Sequence, residues 1–232
     1  MIDWHNHILP EMDDGSRSID ESISMLDIQA SQGVHTVVAT PHFYANDESV
    51  NAFLERRNKA HEELLSKSAT PSLKIILGAE VRYYQGISRL DELKLLRIEG
   101  SKLLLLEMPQ SAWTEYMIRE LLELSGKSSI KIVLAHVERY LTLQNRNVFE
   151  RLKDNGVLMQ ANSSFFTSFV TKRRALSLLE EGSIHFVGSD CHNLTSRAPN
   201  LGKAFEVIEK KFGNDFIEQM NEYGDSMLST NN

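Results

Sequence analysis

Seven short apolar runs recur along the chain, and longer stretches with helical periodicity separate most of them. The runs are MIDWH, HTVVAT, KIILGAE, KLLLLE, KIVLAH, VLMQAN and IHFVGSD. Their nearly all-apolar character is typical of strands that are buried on both faces, as in a parallel sheet covered by helices. The pattern therefore predicts an α/β fold whose sheet is either closed as a barrel or open and doubly wound.

The periodic stretches predict helices, and glycines mark several of their ends. The predicted helices cover residues 19–32, 48–66, 115–125, 148–155 and 173–181. Gly33, Gly156 and Gly182 follow three of them, where a helix C-cap favours glycine. No repeat or long linker divides the chain, so we expect one domain over residues 1–232, with a polar tail from Tyr223 that frays.

Composition and charge narrow the class of protein. A chain of 232 residues that is 41% hydrophobic can bury a full core. The formal net charge of −7 argues against a general nucleic-acid binder, which needs a basic face. No apolar run approaches the roughly 20 residues of a membrane span, and the single cysteine, Cys191, permits no internal disulfide. We expect a cytoplasmic protein without membrane insertion; its oligomeric state does not follow from the sequence.

Possible metal ligands stand at the carboxyl ends of the predicted strands. In the opening MIDWHNH, strand alternation places His5 and His7 on the same side. The other candidates, from later strand ends and from the DDG turn, are Asp14, His42, Glu80, Glu107, His136, Asp190 and His192. Parallel strands end on one face of the molecule, so these scattered side chains are predicted to converge there.

The three remaining histidines stand elsewhere. His35 precedes a predicted strand, His61 lies within a predicted helix and His185 lies inside a strand. Since none of them ends a strand, we interpret them as structural or surface residues.

The motifs DWHNH, DDG, TPH, GAE, LLLE, AHVERY and GSDCHN together resemble the PHP (polymerase and histidinol phosphatase) superfamily. From residue 1 to about residue 213 the chain is more closely similar to the bacterial manganese-dependent tyrosine-protein phosphatases of the CpsB/YwqE type, which are encoded with capsule or exopolysaccharide synthesis genes. The resemblance implies a distorted (β/α)7 TIM-like barrel with a three-metal site at the carboxyl ends of the strands. It also implies a cytoplasmic enzyme that acts on a phosphotyrosine-bearing bacterial tyrosine kinase.

The resemblance extends to individual residues. It implies a first ion held by His5, His7, Glu80 and Asp190, a second by Glu80, Glu107 and His136, and a third by Asp14, His42 and His192. Arg139 and Arg197 match phosphate-binding arginines, and His192 or a water is a candidate general acid. Trp4 and Phe43 depart from the usual family residues, which affects partner recognition more than chemistry.

The chemistry of the donors points to phosphate ester hydrolysis. Imidazole and carboxylate ligands suit Mn²⁺, Fe²⁺ or Zn²⁺, with Mg²⁺ a further option, and manganese follows only from the resemblance. Ions about 3.5 to 4 Å apart can share a water, lower its pKa and clamp the attacking and leaving oxygens. Three divalent ions, four carboxylates and one hydroxide leave a charge of about +1, which attracts a phosphate dianion.

Other interpretations remain open. The segment from Cys191 to Arg197, CHNLTSR, matches the C-x5-R signature of cysteine-dependent phosphatases, although it lacks the glycine that such a loop usually contains. Hydrolysis of histidinol phosphate or another small monoester would use the same metals, and a non-enzymatic kinase-binding module is a third alternative. Aromatic candidates for contact with a phenyl ring are Phe43, Tyr44, Trp113, Tyr140 and Phe165.

Overall fold

The computed structural model describes residues 1–67 and 73–229, and it folds them into parallel strands covered by helices. The strands are β1 (Ile2–Asn6), β2 (Thr36–Ala39), β3 (His42–Phe43), β4 (Lys74–Leu77), β5 (Glu80–Arg82), β6 (Leu103–Glu107), β7 (Lys131–Leu134), β8 (Leu158–Asn162) and β9 (Phe186–Gly188). The helices are α1 (Ile19–Ser31), α2 (Val50–Lys67), α3 (Glu115–Ser125), α4 (Arg146–Asp154), α5 (Ser163–Thr167), α6 (Lys172–Glu180), α7 (Leu201–Phe212) and α8 (Asn214–Leu228). The α/β prediction is confirmed.

One predicted strand is divided and another has a continuation that was not predicted. KIILGAE divides around Gly78 into β4 and β5, whereas HTVVAT forms β2 and is followed beyond Pro41 by β3. Pro41 has no N–H to donate, and a Cβ on Gly78 would lie 3.2 Å from Ile98 Cγ1. Pairing nevertheless continues, because Gly78 N donates to Ala39 O at 2.8 Å and Glu80 N donates to Pro41 O at 3.0 Å. The nine described strands therefore still form seven elements of the wall, one for each predicted run.

The wall curls until its first strand meets its last. The strands follow the orders β1-β2-β4 and β3-β5-β6-β7-β8-β9, and all their pairings are parallel. His7 N donates to Cys191 O at 2.9 Å, and Asp190 N donates to His5 O at 2.7 Å, which joins β1 to the segment after β9. The chain thus forms the distorted barrel that the family resemblance implies.

The helical layer agrees with the prediction in part. Five predicted helices correspond to α1, α2, α3, α4 and α6 within about two residues at each end, whereas α5, α7 and α8 were not predicted. Two 3₁₀ turns, Ile87–Arg89 and Asp91–Leu96, stand between β5 and β6 in place of an α-helix. Within the described ranges, no helix has the length and apolar character needed to cross a bilayer.

Apolar side chains fill the end of the barrel at which the strands begin, which we call the floor. Ile2, Trp4, Leu105, Phe186 and Met227 belong to one buried cluster there. The rings of Trp4 and Phe186 have centroids 4.0 Å apart. Helix α8 contributes Met227 to this cluster and so covers the floor.

The expectation of a frayed tail from Tyr223 is wrong for residues up to Leu228, which are helical, and residues 230–232 lie outside the described part. The Tyr223 ring stacks on Phe186 at 5.8 Å. A Cβ on Gly224 would lie 2.9 Å from Ile2 Cδ1, so glycine permits α8 to approach the barrel closely. The polar composition of the tail gave no sign of these contacts.

Candidate metal centre

The nine predicted donors all lie at the opposite end of the barrel, where the strands finish, which we call the mouth. Three groups have donor atoms within 4.8 Å of one another: His7, Asp14, His42 and His192; His5, His7 and Asp190; His42, Glu80 and Glu107. His136 joins them, with its Nε2 atom 2.8 Å from Glu80 Oε1 and 3.5 Å from Glu107 Oε1. The grouping differs from the implied one mainly in placing His42 beside Glu80 and Glu107.

Glu80 lies at the centre of the cluster. Its Oε2 atom is 3.2 Å from His5 Nε2, 3.4 Å from His7 Nε2 and 2.9 Å from His42 Nδ1. Burial alone would raise the pKa of Glu80, but the surrounding histidines, His5 foremost, outweigh it and hold that pKa well below its usual range. An ionised carboxylate with several facing imidazoles is suited to bridging two cations.

A shift in strand register brings the two opening histidines into the mouth. The β1–β2 register changes between Asp3 and Asn6, as it does at a β-bulge. Trp4 packs in the floor cluster, and the next residue, His5, reaches Glu80 across the barrel. His5 and His7 then share one side, as predicted, with their Nε2 atoms 3.2 Å apart.

Hydrogen bonds fix the orientation of four of the histidine rings. In each ring Nδ1–H donates to an oxygen: His5 to Gln160 Oε1 at 3.2 Å, His7 to Asp13 Oδ2 at 2.7 Å, His136 to Tyr140 Oη at 3.2 Å, and His192 to the Asp190 carbonyl at 3.0 Å. This tautomer leaves the Nε2 lone pair directed at the cluster. Metal-binding histidines are oriented by outer partners in this way.

Two buried nitrogens test whether a cation fits this cluster. Within the described residues, His42 Nδ1 and His192 Nε2 are buried and make no hydrogen bond. His192 Nε2 nevertheless lies 3.3 Å from Asp14 Oδ1, and His42 Nδ1 faces Glu80. Buried polar atoms normally have partners, so nitrogen lone pairs that converge with carboxylates fit divalent cations.

The backbone is strained at two of the donors. His136 has φ of 34° and Asp190 has φ of 52°, in the left-handed region that non-glycine residues avoid. His136 N donates to Gln160 Oε1 at 2.7 Å, which holds this conformation. Such strain is commonly found at functional sites.

Both predicted arginines donate hydrogen bonds to the same carboxylate, that of Asp190, at the rim of the mouth. Arg139 Nη2 donates to Asp190 Oδ2 at 2.6 Å, and Arg197 Nη2 donates to Asp190 Oδ1 at 2.8 Å. Burial alone would raise the pKa of Asp190, but His5, His7 and Arg197 hold it well below its usual range. Each guanidinium is partly exposed and keeps further N–H donors.

Several residues of the mouth were missed from the sequence. Asp13 accepts from His7 and also from the His42 backbone N–H at 2.8 Å. Gln160 holds His5 and the His136 backbone, while Asn162 Nδ2 donates to Asp190 Oδ2 at 2.8 Å. The signal for the two amides was present: both interrupt an otherwise apolar strand, VLMQAN, at positions of equal parity.

Arg82 is a third cation at the rim that the sequence reasoning missed. Its Nη1 atom donates to Glu107 Oε2 at 3.2 Å, and its guanidinium lies 5.9 Å above the Tyr44 ring. Tyr44 in turn stacks on His42 with centroids 5.3 Å apart.

Of the five aromatic candidates, only Tyr44 is partly exposed at the mouth. The other four are buried in the packing between barrel and helices: Phe43, Trp113, Tyr140 and Phe165. Tyr140 instead positions His136 through its hydroxyl.

Cys191 is unsuited to the nucleophilic role that its C-x5-R context suggested. The side chain is fully buried, and its Sγ atom accepts from Gln29 Nε2 at 3.3 Å. Burial raises the pKa of the thiol, which disfavours the thiolate that such catalysis requires. His35, His61 and His185 lie outside the three donor groups.

Comparison with known proteins gives a consistent result. The family model for capsular polysaccharide synthesis, CpsB/CapC, matches residues 1–227. Tyrosine-protein phosphatase YwqE of Bacillus subtilis is 31% identical over 237 residues, covering 98% of this chain and 91% of that protein. Tyrosine-protein phosphatase CpsB of Streptococcus pneumoniae is 34% identical over 230 residues, covering 92% and 91%.

A solved structure agrees with these matches. It is described as one of the crystal structures of YwqE from Bacillus subtilis and CpsB from Streptococcus pneumoniae, unique metal-dependent tyrosine phosphatases. It superposes with a TM-score of 0.84 at 29% identity and covers 98% of this chain and 94% of the other. With the model match over nearly the whole length, the chain belongs to the CpsB/CapC family of capsular polysaccharide synthesis proteins.

Proposed function

We propose that this chain is a metal-dependent protein-tyrosine phosphatase that acts in the cytoplasm on a phosphorylated bacterial tyrosine kinase and so regulates capsule or exopolysaccharide synthesis. The observation that carries the proposal is the convergence of nine imidazole and carboxylate donors at one barrel mouth, beside Arg139 and Arg197. The names and the metal dependence of the relatives support the reaction class.

The donor set is proposed to hold three divalent ions, with Mn²⁺ as the biological metal. His5, His7, Glu80 and Asp190 would hold one ion, with the second and third on the remaining donors, which are Glu107, His136, Asp14, His42 and His192. When bound, such ions supply a water of lowered pKa and Lewis-acid stabilisation of the phosphoryl oxygens.

Asp13 adds a fifth carboxylate to the four that were counted from the sequence, and so lowers the net charge of this centre. It is buried against His7, and although burial opposes ionisation, His7 holds the Asp13 pKa well below its usual range. Three divalent ions opposed by five carboxylates leave a charge of about +1 before any hydroxide is counted, one unit less than with four. Attraction of a phosphate dianion therefore depends largely on the rim arginines.

Arg139 and Arg197 are assigned to binding and orienting the phosphoryl group. Both are fixed to Asp190 from opposite oxygens, which holds the two guanidiniums side by side at the rim. Their remaining N–H donors suit paired contacts to phosphate oxygens. Arg82, on Glu107, adds a third positive group nearby.

His192 is assigned as a ligand and not as the general acid. It is buried, its Nδ1 donates to the Asp190 carbonyl, and its Nε2 faces Asp14. Protonation of the leaving phenolate then falls to water. A phenol has a pKa of about 10, so it leaves more readily than an alkoxide and needs less assistance.

The test compares substrates on metal-loaded protein. A phosphotyrosine peptide should release phosphate at a rate far above that of histidinol phosphate at equal concentration. Faster turnover of histidinol phosphate would assign the chain to small phosphomonoesters, and turnover of neither would support a kinase-binding module without catalysis.

A further inference from the structure

The loop after α5 exposes two large apolar side chains. Phe169 and Val170 are 95% and 87% exposed, the highest values among the large hydrophobic residues of the described chain. Single exposed hydrophobics are ordinary, but two adjacent ones at such exposure oppose solubility and indicate a contact surface.

Three cations follow after Thr171. Lys172, Arg173 and Arg174 are exposed, and none forms an ion pair within 4.0 Å in residues 1–67 and 73–229. They occupy the first turn of α6, where the helix dipole disfavours positive charge, so helix stability does not explain them. No acidic residue occurs from 155 to 179, although the whole chain carries a net charge of −7.

This segment, residues 169–174, lies on the same end of the barrel as the donor cluster, because it follows β8 within a strand-to-helix connection. Asn162, the last residue of β8, donates to Asp190 at 2.8 Å. Helix α5 has five residues at about 1.5 Å each, and two further residues reach Phe169, so its backbone lies within about 15 Å of Asn162. An extended peptide spans that distance in about four or five residues.

We propose that residues 169–174 bind the part of a substrate chain that flanks the phosphotyrosine, and that this flank is acidic with an apolar side chain within about five residues of the phosphotyrosine. The inference rests on the proposed phosphatase function. Charge complementarity indicates an acidic partner segment, because this stretch of an otherwise acidic protein carries cations that form no ion pair within the described residues. Phe169 and Val170 then supply the apolar contact.

The experiment uses the metal-loaded full chain and three substrates. They are p-nitrophenyl phosphate, a phosphotyrosine peptide with acidic and apolar flanks, and a peptide of equal length with Gly-Ser flanks. Two double variants, Phe169→Ser/Val170→Ser and Lys172→Glu/Arg173→Glu, should each raise KM for the acidic peptide about tenfold. They should leave p-nitrophenyl phosphate and the Gly-Ser peptide unchanged.

Two controls separate docking from folding. Leu65→Ser/Lys67→Glu makes the same kinds of change at exposed positions at the end of α2, on the floor side, and should leave KM unchanged for every substrate. Salt should raise the wild-type KM for the acidic peptide, and it should raise the KM less or lower it in Lys172→Glu/Arg173→Glu, because salt screens the attraction in the first and the repulsion in the second. A merely structural role would not produce that salt dependence.

The outcomes distinguish the failure of each proposal. Wild-type turnover of the peptides with no KM change in either double variant overturns the docking surface but leaves the phosphatase assignment intact. Absence of phosphotyrosine turnover in the wild type overturns the proposed function itself. Conversion of a wild-type dimer to monomer by the variants, or loss of binding to phosphatidylglycerol vesicles with unchanged peptide KM, would assign the segment to another partner and overturn the proposal.

Discussion

The two ends of the barrel are made from the same strands and use opposite chemistry. The floor holds close-packed apolar side chains such as Trp4 and Phe186, under the last helix. The mouth buries Glu80, Glu107 and Asp190 together, beside residues with strained backbone. Burying charge opposes folding unless it is paired, so the floor stabilises the fold while the mouth uses part of that stability for function.

The largest expected effect comes from removing a donor at the mouth. His136→Ala should lower kcat/KM for a phosphotyrosine peptide by about a thousandfold or more, because losing a direct ligand should exceed the loss known for outer partners. Steady-state kinetics at saturating Mn²⁺ measures this, with the urea midpoint as a check on folding.

Cys191→Ser is the matched control for His136→Ala, since Cys191 is equally buried next to the donor Asp190. Its kcat/KM should stay within about threefold of the wild type. The reverse result, an active His136→Ala and an inactive Cys191→Ser, would restore the cysteine mechanism.

The floor should respond in stability and not in chemistry. Trp4→Ala removes a buried ring packed against Phe186 and should lower the free energy of unfolding by about 3 to 5 kcal/mol. Urea denaturation measures the loss, and kcat at saturating metal should change little in the folded fraction. Tyr116→Ala, at an exposed aromatic position, should lower the free energy of unfolding far less. Equal losses of stability in the two variants would contradict the assignment of a stabilising role to the floor.

Asp13 should have an intermediate effect at the mouth. Asp13→Asn keeps the shape but weakens the 2.7 Å bond that orients His7, so Mn²⁺ affinity or activity should fall about 10- to 100-fold. Metal titration followed by activity measures the change. Asp47→Asn, exposed in a nearby loop, is the control, and an effect as small as that of the control would mean that Asp13 does not support the centre.

Metal removal should have a moderate effect on stability. EDTA should lower Tm by about 5 °C, since bound ions stabilise only the folded state. The loss stays moderate because His7 takes up a proton: burial opposes this, but Asp13 and Glu80 raise the His7 pKa to about 10. Differential scanning calorimetry with and without EDTA measures the shift, and unchanged Tm would count against bound metal.

The sequence predicted the wall and most donors because both depend on local pattern. Apolar runs mark buried strands, and a histidine, glutamate or aspartate at or just after the end of six of the seven runs is visible without a structure. The continuation of HTVVAT past Pro41 and the break at Gly78 were missed because the apolar pattern does not show strand pairing, which continues through both positions. Helix α8 was missed because its polar composition obscured apolar residues at helical spacing, among them Phe216, Met220 and Met227, which pack against the rest of the fold.

The DDG turn shows where pattern reasoning ends. Asp13 and Asp14 are adjacent and chemically identical, yet Asp13 is held between His7 and the His42 backbone, whereas Asp14 is 64% exposed and faces His42 and His192. Only the path of the turn decides which carboxylate supports a ring and which meets the cluster. Composition and spacing carry no information on that path.

Counting the ions that the chain retains tests the central claim most directly. Native mass spectrometry of the full chain after Mn²⁺ loading and desalting should find three ions per chain, fewer in His136→Ala, and phosphotyrosine turnover that follows occupancy. A wild-type chain that retains no ion, and that hydrolyses the peptide equally well after exhaustive chelation, would contradict the account.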